Sequence, residues 1–247
     1  YSFGYKNSKF DVTVSLSENS PLLEFAFRVD WQERGQKGVG VPQLGFYVPF
    51  AYSCDSYRYN VAMGTIDRLS LRQDVPSIGW ALAPNPDVRS MLLVSDSKYG
   101  FRGCDNSLSV TLLRSSFDPD PHPELGIHDF ALGVGLCSGE NTEVLKLSDD
   151  FVHPLYFVSN LSHKGTLPFS SGFTSTPDGV KISAVKNAEN GSDAVIIRGY
   201  DISGVSRNVE FDFAKRVNSA SFVDACENPS SGKLHISGSS VRFELAA

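Results

Sequence analysis

The densest group of ionisable side chains lies between Arg114 and Phe130, where Arg114, Asp118, Asp120, His122, Glu124, His128 and Asp129 share one short segment. Pro119, Pro121 and Pro123 alternate through it, fixing φ and lowering the entropy of a segment that would otherwise be floppy. A stiff loop with an arginine fork and several carboxylate acceptors suits recognition of a polyhydroxylated ligand. The competing reading is a solvated surface loop whose prolines protect an exposed edge. Arg114 then either reaches a ligand or pairs with Asp118 or Asp120 and holds the loop. His128 falls on an expected strand opposite Leu125, Ile127 and Asp129, where it is either a hydrogen-bonded structural residue or a ligand-facing one. A metal role is not expected, because His122 is a poor partner and no second His or Cys stands at ligand spacing.

These residues need strands to position them, and strand signals dominate the chain. Leu23, Phe25, Phe27, Val29 and Trp31 recur at every second position against Glu24, Arg28 and Asp30, the period of a strand with one buried face. The same alternation appears at Val12, Val14 and Leu16, at Leu108, Val110 and Leu112, at Val209, Phe211 and Phe213, and at Val241, Phe243 and Leu245. Val195-Ile-Ile197 reads as a strand buried on both faces. Ser95-Asp-Ser-Lys-Tyr-Gly100 reads as a turn in which Gly100 supplies a positive φ, Asp96 bonds the backbone and Lys98 is free to pair with Asp96. No helical periodicity stands out, so the pattern predicts an all-β, antiparallel sandwich with long loops. A stretch rich in Ser, Thr, Gly and Pro divides it into a large β-region over 1–161, a linker over 162–179 and a small β-unit over 180–247.

Bulk properties narrow the function. With 247 residues, 41% hydrophobic and 20% charged, the chain has ample apolar material for a core. A formal net charge of −6 argues against nucleic acid, whose phosphates require a basic footprint. No apolar run is long enough to span a membrane. Cys54, Cys104, Cys137 and Cys226 are too widely spaced for a C-x-x-C motif and are read as free thiols. Tyr1-Ser-Phe-Gly-Tyr5 is no signal peptide, and the strand patterns close to both ends read as a piece of something longer.

Several segments, in order, resemble the C-terminal β-region of the family 38 α-mannosidases. They are Val29-Asp-Trp-Gln-Glu33, Pro42-Gln-Leu-Gly-Phe-Tyr-Val-Pro49, Gly64-Thr-Ile-Asp-Arg68, Asp96-Ser-Lys-Tyr-Gly100, Leu112-Leu-Arg114, Gly126-Ile-His-Asp-Phe130, and Ser183 to Asn190 with Ala194 to Tyr200. The resemblance implies a galactose mutarotase-like supersandwich followed by a smaller β-sandwich portion. It also implies a parent that hydrolyses terminal α-mannosides with retention and the help of zinc. The nucleophile, acid/base and zinc ligands would lie upstream, leaving this chain with no cofactor of its own. Its expected partners are that catalytic domain and mannose-containing glycans, with Arg114, Asp120 and His128 as substrate contacts. The branch that it resembles implies a cytoplasmic location. Asp118 and Asp120 are not read as catalytic, since glycoside hydrolysis sets its two carboxyl groups on opposite sides of the scissile bond. The Pro-rich insertion and the Gly35–Gly40 loop depart from the family pattern.

Two other readings stay open. A mutarotase would use a His acid and a Glu base, for which His128 with Glu124 or Glu143 is the available pair. A carbohydrate-binding module would display aromatics such as Trp31, Tyr57 or Tyr59 on one sheet face, where core packing is the alternative.

Overall fold

The computed structural model describes residues 1–156, 158–159, 164–165, 172–175 and 177–245. The chain divides into two compact units, Tyr1–Pro154 and Leu155–Ala247. Half of the stretch read as a linker, 162–163, 166–171 and 176, lies outside the described residues.

The larger unit contains β1 (Ser2–Tyr5), β2 (Ser8–Leu16), β3 (Leu22–Trp31), β4 (Gln43–Pro49), β5 (Ser56–Val61) and β6 (Gly64–Leu69). It continues through β7 (Val75–Pro76), β8 (Trp80–Ala83), β9 (Ser90–Ser95), β10 (Gly100–Cys104), β11 (Ser107–Arg114) and β12 (Gly126–Cys137). Eight strands form one sheet in the order β1-β2-β3-β12-β9-β8-β5-β6, and four form a second in the order β4-β11-β10-β7. All pairings are antiparallel. The core collects the inward residues of both sheets, including Val29, Tyr57, Leu93, Phe101, Leu108 and Leu132 at 0% exposure. The alternation expected at Val29 and Trp31 and at Leu108, Val110 and Leu112 becomes a packed interior, as the sandwich architecture requires. Val14, Leu16 and Leu23, expected on buried faces, are instead exposed.

One element departs from the strand reading. Asn141–Val152 forms helix α1, burying Val144, Leu145 and Ser148. These positions carry helical spacing, but Ser148 interrupts the apolar stripe and hides it from a hydrophobicity count. The helix packs on β9 and β12. Gly133 makes room there, since a Cβ at that position would stand 3.1 Å from the Phe151 ring.

The smaller unit contains β13 (Phe173–Ser175), β14 (Val180–Asn187), β15 (Val195–Asp201), β16 (Arg207–Phe213), β17 (Leu234–Ser237) and β18 (Ser240–Leu245). Its sheets run β13-β16-β18-β17 and β14-β15. Val209, Phe211 and Val241 are buried in it, and the Phe243 ring meets both Phe211 and Phe222. Val195 is 57% exposed, so β15 is not buried on both faces. In a two-stranded ribbon, a β-branched run is left partly open to solvent.

Candidate functional site

Register brings the motifs of the larger unit to one end of its two sheets. Trp31, the last residue of β3, pairs with Gly126, the first of β12. Gln43, the first of β4, pairs with Arg114, the last of β11. Gly100 opens β10 opposite Thr111, and Ser95 closes β9 opposite Leu132. The turn between Ser95 and Gly100 therefore lies at the same end as Arg114 and His128.

The end of β11 is firmly held. Ser115 is fully buried, its amide donates to the Pro42 carbonyl at 3.0 Å, and its hydroxyl accepts from the Trp31 indole at 2.6 Å. Gly35 closes over it, where a Cβ would come within 2.3 Å of the Ser115 carbonyl oxygen. Only glycine permits that approach. Arg114 consequently projects from a fixed strand end. Its side chain is exposed, and no ion pair joins it to Asp118 or Asp120 among the described residues.

Asp120 is exposed on the loop and accepts the His122 amide at 2.8 Å, a local turn of the kind that aspartate favours. His128 shares the inward face of β12 with Phe130, opposite exposed Ile127 and Asp129. Its Nε2 lies 2.8 Å from the Glu124 carbonyl oxygen. A carbonyl only accepts, so Nε2 carries the proton. Nδ1 stands 4.0 Å from a Glu124 carboxylate oxygen. Arg114, Asp120 and His128 thus sit on one end and its loop, with no bond joining them.

The turn after β9 behaves partly as expected. Asp96 accepts the Ala131 amide at 2.9 Å, and the Ser95 hydroxyl accepts the Lys98 backbone amide at 2.9 Å. Gly100, however, is an ordinary strand residue, without the positive φ expected of it. The Lys98 amine lies 4.4 Å from the Phe130 ring centroid rather than paired with Asp96. Burial lowers its pKa, opposed by Glu124 and Asp96.

Of the alternative pairs, His128 and Glu124 are brought within 4.0 Å, whereas Glu143 is not near His128. Glu143 bonds Ser138, just past the far end of β12 from His128; nine strand steps put roughly 30 Å between those ends. Trp31, Tyr57 and Tyr59 retain 3%, 0% and 2% exposure, so they fill the core rather than display a binding face. Among the described residues, no group of three or more His, Cys, Asp or Glu is placed to hold a metal.

Two residues not singled out as site candidates from the sequence, Glu33 of the Val29–Glu33 segment and its neighbour Arg34, enlarge the site. Glu33, just past β3, is buried and accepts from the Ser8 hydroxyl at 3.0 Å and the Asn7 amide at 3.3 Å. Beside it, Arg34 is exposed and forms no ion pair among the described residues. A charged residue directly after an apolar-alternating strand was the available signal.

Two family descriptions match this architecture. Residues 1–122 match the glycosyl hydrolases family 38 C-terminal domain, and residues 179–247 match the glycosyl hydrolases family 38 C-terminal beta sandwich domain. The chain belongs to family 38 of the glycosyl hydrolases, as a C-terminal region. Alpha-mannosidase G of Dictyostelium discoideum is 23% identical over 217 residues, covering 83% of this chain and 19% of that protein. An alpha-mannosidase from Enterococcus faecalis V583 superposes with a TM-score of 0.75 at 13% identity, over 96% of this chain and 29% of that one. A family 38 protein from Enterococcus faecalis gives 0.72 at 14% identity, over 96% and 30%. The chain therefore spans about a fifth to a third of the length of these relatives.

Proposed function

We propose that this chain is the non-catalytic C-terminal β-region of an α-mannosidase that hydrolyses terminal α-mannosides with retention. The observation that carries the reading is the match of both units to family 38 C-terminal descriptions, joined to relatives named as α-mannosidases that are several times longer. The catalytic residues lie upstream in the parent, and the zinc that assists its reaction is held there. Within the larger unit, Glu124 and His128 offer donors but no third ligand accompanies them.

The role of this chain is then to wall the site and to contact the glycan through one end of the larger unit. Arg114 donates to sugar hydroxyls from a strand end fixed by Ser115 and Trp31. Asp120 keeps one carboxylate oxygen outside its bond to the His122 amide, and that oxygen accepts from a hydroxyl. His128 presents Nδ1 as an acceptor, because Nε2 is committed to Glu124. The four free thiols support a reducing, cytoplasmic setting.

Turnover of an aryl α-mannoside tests the reading. The 247-residue chain should show none, with or without added zinc, while the longer polypeptide that contains it should show turnover. Activity of the chain alone would overturn the assignment.

A further inference from the structure

The Gly35–Gly40 loop, which departs from the family pattern, borders an open polar hollow of about 460 Å³ lined by Asn7, Gln32, Glu33, Arg34 and Gln36. We propose that this hollow is a second glycan subsite, which holds the sugar unit next to the one contacted by Arg114. The proposal rests on the functional reading above and extends it to an oligosaccharide.

The hollow is built rather than incidental. The Glu33 side chain is only 8% exposed. One of its oxygens is held by Ser8 and Asn7, and the other faces the Lys6 amine at 4.0 Å. The Ser8 hydroxyl in turn accepts the Gln32 amide at 2.9 Å, tying the start of β2 to the residue after β3. Across the hollow the loop is closed on itself: the Gln36 amide donates to the Gly40 carbonyl at 3.0 Å and the Gly40 amide to the Gln36 carbonyl at 3.1 Å. Gly38 and Gly40 take the positive φ values of 78° and 149° that this closure needs. Gly35 fastens the loop against Ser115, the neighbour of Arg114.

The lining identifies the ligand class. Amides of Asn7, Gln32 and Gln36 both donate and accept, the Arg34 guanidinium donates, and Glu33 accepts. Three of the five lining residues are neutral amides, and Glu33 and Arg34 carry opposite charges, so a neutral ligand is favoured over a phosphate or a peptide of strong charge. The volume falls in the range of about 300–1,000 Å³ usual for small-molecule sites. A neutral, hydroxyl-rich saccharide fits all three conditions, and the close approach of Gly35 to Ser115 sets the loop that borders the hollow on the same end of the unit as Arg114.

The test is a backbone amide NMR titration of the 247-residue chain with methyl α-mannoside, with α-linked mannobioses and with lactose. A mannobiose should shift the Asn7 and Gln32–Gln36 amides saturably, with a dissociation constant of about 1 mM. Methyl α-mannoside should act mainly around Arg114. Arg34→Ala and Gln36→Ala, both at exposed positions that leave the fold intact, should each weaken mannobiose roughly tenfold. Glu33→Gln should weaken it too, with Arg34→Ala deciding the matter if that variant fails to fold. Mannobiose shifts confined to the Arg114 end and indifferent to Arg34→Ala and Gln36→Ala would overturn the subsite and leave the functional reading standing. Lactose saturating the hollow while mannosides leave Arg114 silent would support the subsite and sink the mannoside reading. Silence of the hollow towards every sugar would overturn the proposal.

Discussion

In the larger unit Tyr57, Leu93, Phe101, Leu108 and Leu132 are wholly withdrawn from water, whereas among the described residues of the smaller unit the best-buried large apolar side chains, Ile202, Val209, Phe211 and Val241, keep 3–7% exposure. Both units carry ion pairs, Arg58 with Asp67 at 2.8 Å and Arg102 with Asp74 at 2.7 Å among them in the larger one. In the smaller one Arg207 meets Asp201 at 2.6 Å, Lys186 meets both Glu189 and Glu227 at 2.6 Å, and Arg242 meets Glu210 at 2.8 Å. The difference in burial follows from size, because a small unit buries a smaller share of its surface and has less core to draw on. It also bears on function. A dry, close-packed interior keeps strand ends fixed, and the Arg114 end belongs to the unit that has one.

The sharpest way to break that comparison is to damage the larger core. Leu93→Ala should cost about 2–5 kcal/mol. Gly103→Ala should be comparably severe, because its Cβ would stand 2.2 Å from the Tyr57 ring. Trp31 and Trp80, the only tryptophans, both lie in the larger unit, so the denaturation midpoint followed by tryptophan fluorescence should fall for these variants. A matching midpoint in the parent and both variants would mean that this core is not what holds the unit.

In the smaller unit, Asp201→Asn should cost about 1.5–3 kcal/mol through its charged hydrogen bonds. Burial raises the Asp201 pKa, but bonds from Ser203 and Arg207 outweigh it and leave the carboxyl below its ordinary 3.8. A carboxylate depressed in the folded state stabilises fully above its unfolded pKa and loses that contribution as pH falls through the folded value. Amide exchange in β15 and β16 should therefore accelerate below about pH 4 in the parent but not in Asp201→Asn. Equal acid sensitivity of the two would assign the effect elsewhere.

Next in size is Trp31→Phe, which leaves the buried Ser115 hydroxyl without its donor and should cost about 1–3 kcal/mol, with amide shifts centred on Ser115 and Arg114. Smallest is Arg28→Ala. Arg28 forms a two-pronged contact with Asp129 at 2.9 and 3.0 Å, but both side chains are more than half exposed. Its removal should move the midpoint by no more than about 1 kcal/mol.

Part of the architecture could be read from alternation, since β2, β5 and β10 alternate buried and more open residues, whereas β1 is exposed throughout and β8 buried throughout. Helix α1 escaped because Ser148 occupies a buried position in its stripe. The expectation for Gly100 failed because a strand, not a turn, claims that residue; the turn is closed by Ser95 and Asp96 instead. Arg114 and His128 drew notice by residue type, but their convergence depends on pairings such as Gln43 with Arg114 and Trp31 with Gly126, which link distant segments. Glu33 stayed hidden for the same reason, as its partners Ser8 and Asn7 lie on another strand and its preceding turn.

The measurement closest to the central claim is the steady-state kinetics of Arg114→Ala in the longer polypeptide, with Arg28→Ala as control. The account predicts that kcat/KM for a mannobiose falls by roughly ten- to a hundredfold, a loss of about 1.4–2.7 kcal/mol, while Arg28→Ala stays at the parent value. An Arg114→Ala polypeptide that retains the parent kcat/KM would contradict it.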